Sequence, residues 1–129
     1  MITMCDKRKA VLYCRVAPGA GKINEWLWLQ REILREAAHQ RGLSVVGEIM
    51  ACESGTTMWR TGWASVLHTL QQTQAGVLLV ASYTRISRNT VELLQTLRQM
   101  QAQGVEVQVT DPMQEQTLQL LTTLSLYRG

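Results

Sequence analysis

Val77-Leu-Leu-Val-Ala-Ser-Tyr-Thr-Arg-Ile-Ser-Arg-Asn89 is the stretch whose reading decides the fold. It opens as an apolar run after Gly76 and reads as a strand buried on both faces. It then turns polar and delivers Arg85 and Arg88 where the next helix should begin. Asn89 is a candidate N-cap, and Glu92 stands where a capping box needs it. Two guanidiniums beside the free N–H groups of a helix start suit phosphate or another anion. In an open α/β sheet, ligands bind beyond the carboxyl ends of the strands, which is where this turn falls. The competing reading is a pair of solvated surface charges, which do little.

Upstream, Ala10-Val-Leu-Tyr-Cys-Arg-Val16 reads as a first strand, apolar except for Arg15. A buried arginine needs partners, so Arg15 is expected to point to the carboxyl edge of the sheet. Ala17-Pro-Gly-Ala-Gly-Lys22 is superficially like a nucleotide-binding loop. Val16 stands where that motif needs its first Gly, and Ile23 where it needs Ser or Thr, so it reads as a flexible loop with Lys22 on a basic rim. Asn24 is expected to cap a helix running to Arg41, with Trp26, Leu29, Ile33 and Ala37 as its core stripe and Gly42 as its stop.

Leu43 to Met50 reads as a second strand, partly alternating and so a candidate edge. A polar loop from Ala51 to Gly62 follows and carries another isolated arginine, Arg60. A helix over about 63–73 should turn Val66, Leu67 and Leu70 inward. His68 has no second ligand at metal spacing. After the opening stretch, a helix from Thr90 to Gln103 should pack through Leu93, Leu94, Leu97 and Met100 and close at Gly104. Val105-Glu-Val-Gln-Val109 alternates, as a strand with one wet face does. Asp111-Pro112 should start a last helix with Leu118, Leu121 and Leu124 on its apolar side. This β-α-β-α-β-α-β-α order implies one three-layer α/β domain, with a mostly parallel four- or five-stranded sheet and helices on both faces.

At 129 residues the chain is long enough for a single domain with a real core. No apolar run reaches the length of a membrane span. No signal peptide is read at the N-terminus, so a cytoplasmic protein with no membrane partner is expected. Cys5, Cys14 and Cys52 are odd in number, lack metal spacing, and read as reduced thiols, two of them near the core. The net charge of +3 is compatible with a nucleic-acid partner without pointing to one.

The polar turns belong together. Arg15 ends the first strand, Arg60 follows the second, and Arg85 and Arg88 follow the third. Parallel strands share their carboxyl edge, so four guanidiniums can converge there on one phosphate, which arginine's planar fork binds bidentately.

At these residues the chain resembles the resolvase/invertase class of serine recombinases. Tyr13-Cys-Arg-Val-Ala17 is similar to that family's Tyr-x-Arg-Val-Ser motif, and Leu29-Gln30-Arg31 to its Gln region. Glu53-Ser-Gly55 through Arg60 resembles its Ser-Gly…Arg loop. Thr84-Arg-Ile-Ser-Arg-Asn89 resembles its Asp-Arg-Leu-x-Arg-Asn motif, and Gly104-Val-Glu-Val107 its fourth strand. The resemblance implies a catalytic domain in which a serine attacks DNA phosphate, forms a 5′-phosphoserine link and lets strands be exchanged and rejoined. It implies no metal and no nucleotide or other cofactor.

The chain departs from that pattern at two chemically decisive places. Ala17 stands at the nucleophile position and Thr84 at the aspartate position, while Arg15, Arg60, Arg85 and Arg88 are retained. Loss of a nucleophile commonly costs about a million-fold in rate. Ser54, Ser82 and Ser87 are near in sequence, but none occupies the motif position, and nucleophilic catalysis depends on strict geometry. The family's long dimer-forming helix and DNA-binding region are also expected to be missing, with residues 1–129 forming a single catalytic-type domain cut short in its last helix. The leading expectation is an inactive recombinase-like domain. It would bind DNA backbone weakly and non-specifically, or act through a full-length recombinase or a second copy of itself. An active recombinase domain and an interaction module unrelated to DNA are the alternatives.

Overall fold

The computed structural model describes residues 7–19, 21–54 and 61–111. The expected last helix, Cys5 and Arg60 lie outside them. The described chain runs β1 (Lys9–Val16), α1 (Ile23–Gln40), β2 (Ser44–Cys52), α2 (Thr61–Thr73), β3 (Val77–Val80), a 3-10 turn (Tyr83–Arg85), α3 (Thr90–Ala102) and β4 (Glu106–Val109). The four strands form one parallel sheet in the order β2-β1-β3-β4. β2 is an edge strand, as its partial alternation suggests.

Strand order dictates the layers. The step from β1 to β2 runs one way across the sheet, and the steps to β3 and β4 run the other way. Right-handed crossovers therefore put α1 on one face and α2 and α3 on the other. Two cores result, because successive side chains of a strand point to opposite faces. Ala10, Leu12, Cys14, Val77 and Leu79 meet Leu34 and Ala38 of α1. Val11, Tyr13, Leu78 and Val80 meet Trp63, Val66 and Leu70 of α2 and Leu93 and Met100 of α3. Tyr13 and Trp63 pack edge to face, with ring centroids 5.6 Å apart.

The helix ends follow local chemistry. Gly42 follows α1 at φ +68°, with Gly42 N donating to the His39 carbonyl and Leu43 N to that of Ala38. Gly104 repeats the pattern after α3, with Val105 N bonded to the Met100 carbonyl. Both are Schellman stops, which need a residue at positive φ.

Three expectations about side chains are corrected. The core stripe of α1 is not Trp26, Leu29, Ile33 and Ala37. Gln30, Leu34 and Ala38 are buried, with Leu27 and Ala37 partly so, while Trp26 is 54% exposed and Leu29 and Ile33 are nearly as open. The two stripes sit about 100° apart on the helix, one residue out of step. The inner one wins because small Ala38 lets α1 approach the sheet and Gln30 is needed there to bond a strand end. Asn24 does not cap α1, which starts at Ile23 after Lys22 with no side-chain cap. On α2, Leu67 points outward at 44% exposure, and Trp63 takes the inner place instead. Cys14 is buried and Cys52 exposed, and both are free thiols. Among the described residues no helix is long and apolar enough to cross a membrane.

Candidate functional site

In the order β2-β1-β3-β4 the chain reverses direction between β1 and β3, and the carboxyl ends of those two strands form the switch point where open α/β sheets hold ligands. Arg15 lies at the end of β1, and Arg85 just beyond β3.

The turn after β3 is held by its own alternation. Tyr83 is 3% exposed and Ile86 fully buried, and both belong to the core under α2 and α3. Residues three apart lie one above the other in a 3-10 turn, so these two anchor it from one side. Thr84 is exposed and Arg85 half-buried between them. Asn89 caps α3 as the sequence suggests, its Oδ1 accepting from Glu92 N at 3.1 Å. The return half of the capping box is not made by Glu92. Asn89 N donates instead to Ser87 Oγ at 3.0 Å. Arg88 is exposed at the mouth of this cap.

Arg15 reaches the carboxyl edge but is buried there, at 1% exposure. Its Nε donates to the Arg85 carbonyl at 2.8 Å, its Nη1 to the Glu53 carbonyl at 2.7 Å and its Nη2 to the Thr84 carbonyl at 2.6 Å. Its main chain is held as tightly. Arg15 N donates to Gln30 Oε1 at 3.0 Å, and its carbonyl accepts from Gln30 Nε2 at 3.3 Å and Arg85 Nη1 at 2.9 Å. Arg15 and Arg85 thus each hold the other's main-chain carbonyl. Buried polar groups of this kind are stable only when bonded. The Arg85 Nε, by contrast, is buried without a hydrogen-bond partner.

Glu53 ties the loop after β2 into the same cluster. Its Oε1 accepts from Gly62 N at 2.7 Å, placing a carboxylate at the start of α2, where the helix dipole favours it. Gly62 must be glycine here, since a Cβ would stand 2.6 Å from Ala51 Cβ and from Glu53 Oε2. No sequence signal marks Glu53 for this role, because its partner is nine residues away across a loop. Gln30 was visible only through the family resemblance.

The candidate hydroxyls have other engagements. Ser87 is buried and bonded to Asn89 N. Ser82 Oγ lies 2.8 Å from Thr84 Oγ1. Ser54 is exposed on the loop after β2. Burial, reinforced by the Glu48 charge, pushes the Cys14 thiol up to about 12, so it is neutral and no nucleophile at ordinary pH. In the Gly-rich loop, Gly19 and Gly21 adopt φ +81° and +74°, and Lys22 pairs with Glu25 at 3.8 Å across the solvent.

The sequence matches the family described as Resolvase, N terminal domain, over residues 10–126, and the chain belongs to that family. Its fold is that of serine recombinase catalytic domains. The N-terminal catalytic domain of TP901-1 integrase superposes with a TM-score of 0.72 at 19% identity, covering 94% of this chain and 96% of that one. A resolvase family site-specific recombinase from Streptococcus pneumoniae gives 0.70 at 22% identity, covering 95% and 88%. The C-terminal catalytic domain of IS1535 TnpA, an IS607-like serine recombinase, gives 0.61 at 28% identity, covering 79% and 71%. No curated protein sequence matches the chain significantly.

Proposed function

We infer that this chain is a serine recombinase-type domain that grips DNA backbone without cutting it. The observation that carries this reading is the residue after β1, Ala17, which the family resemblance aligns with the nucleophilic serine and which stands two residues after Arg15. A methyl group cannot attack phosphorus. Thr84 at the aspartate position, hydrogen-bonded to Ser82, supports the same reading. The retained Arg15, Arg60, Arg85 and Arg88 give this edge of the domain the positive charge that attracts DNA backbone, with no metal or cofactor in the scheme.

The test is incubation with nicked and intact duplex DNA. Binding should be weak, insensitive to sequence, and lost as salt rises, with a slope of log K against log salt of about −2 to −3 if two or three phosphates are contacted. No protein–DNA adduct should survive denaturant. Such an adduct would make the chain an active recombinase domain, and absence of binding at low salt would leave it an interaction module.

A protein partner is a second reading, favoured by the ridge of Trp26, Leu29 and Ile33 that α1 leaves open. A full-length recombinase, or a second copy of this chain, is the partner the family suggests. Light scattering of the chain alone and mixed with an intact recombinase tests it, a mass equal to the monomer in both cases removing it.

A further inference from the structure

We propose that Arg15 is the positioning residue of this site and does not itself meet phosphate. The inference rests on the DNA-gripping reading and divides the roles among the retained arginines. Arg15 is 1% exposed, whereas Arg88 is open to solvent. Each of its three nitrogens donates to a main-chain carbonyl, at 2.6 to 2.8 Å, the short range of charge-assisted bonds. Those carbonyls belong to two separate loops, Glu53 after β2 and Thr84 and Arg85 after β3. One planar fork therefore sets the spacing between the loop that leads to Arg60 and the turn that carries Arg85 and Arg88.

The clamp is closed from both sides of the sheet. Gln30 comes from α1 and brackets the main chain of Arg15, while the Arg15 side chain extends on the α2 and α3 side with Val11 and Tyr13. Arg85 Nη1 returns a bond to the Arg15 carbonyl, so the guanidinium of Arg85 is aimed by the residue it helps to hold. To touch a phosphate, Arg15 would have to give up these three charge-assisted carbonyl bonds. Lysine keeps the charge but has a point-like ammonium that cannot span two loops in one plane.

The experiment compares Arg15→Met, Arg15→Lys and Arg88→Gln in the full chain by thermal unfolding, amide hydrogen exchange, and the salt dependence of duplex DNA binding. Arg15→Met should lower Tm by roughly 10 °C or more and speed exchange in both loops, at 53–54 and 82–86. Arg15→Lys should fail to restore either property. Below its Tm, Arg15→Lys should bind DNA several-fold more weakly with the wild-type salt slope. Arg88→Gln should leave Tm and exchange unchanged and reduce the slope by about 0.9. Native exchange and Tm in Arg15→Lys overturn the proposal, as does an Arg15→Met protein with native exchange and a slope reduced like that of Arg88→Gln. If Arg15→Met does not fold, Arg15→Lys alone decides through exchange. If the wild-type chain binds no DNA, the DNA reading fails, while exchange and the lysine rescue still decide whether Arg15 sets the loops.

Discussion

Arg15 and Arg88 look alike along the chain, each an arginine beyond or at the carboxyl end of a parallel strand. In the fold they are opposites. The end of β1 is a closed knot in which Nε, Nη1 and Nη2 of Arg15 each donate to a main-chain carbonyl. The turn after β3 is a shallow surface, anchored by Tyr83 and Ile86 from below and open at Thr84 and Arg88. The difference teaches that two arginines in like places along the chain can have opposite surroundings, one buried among carbonyls and one open to solvent.

Perturbing the knot should be costly, and perturbing the open turn should be cheap. The largest effect is expected from Gly62→Ala, whose new Cβ meets Ala51 and Glu53 at 2.6 Å. Overpacking against Ala51 Cβ, which the backbone of β2 fixes, should remove about 3 kcal/mol, measured by urea unfolding, and near-wild-type stability would show that the end of β2 gives way easily. Gln30→Leu should follow. It leaves the buried Arg15 N–H without its acceptor, a loss of about 2 kcal/mol. A smaller figure would mean that α1 is not needed to hold the knot.

On the open side, Asn89→Ala removes only the cap of α3 and should cost about 1 kcal/mol, with the knot's exchange protection intact. The smallest effect is expected far from both regions, at the exposed pair Arg35–Glu48, bonded at 2.6 Å. The hydrogen bond from Arg35 lowers the Glu48 carboxyl below its usual range. Stability from a depressed carboxylate is present above the unfolded-state value, about 4.3, and lost as pH falls through the folded-state one. The Tm difference between wild type and Arg35→Met should therefore be small at pH 7 and shrink steadily as the pH falls below about 4.3. A difference that grew in acid would contradict this assignment.

Much of the fold was legible in the chain. Strands β1, β3 and β4, the stops at Gly42 and Gly104, and the Asn89 cap all follow from run length, alternation and cap chemistry. These are requirements a few neighbouring residues impose on one another. The site was legible only as a set of arginines, and the roles of Gln30 and Glu53 were not, since their partners lie across the sheet or a loop.

The sequence by itself thus determined the order of the described elements and the ends marked by Gly42, Asn89 and Gly104, because hydrogen-bond caps and φ requirements act within one turn of chain. Only the tertiary structure decided which stripe of α1 faces inward, that Leu67 faces out, and that Arg15 is walled in by carbonyls. Those outcomes depend on which surfaces meet. A tryptophan-bearing stripe is more apolar than one holding Gln30 and Ala38, yet the latter alone provides a close approach to the sheet and a partner for the end of β1.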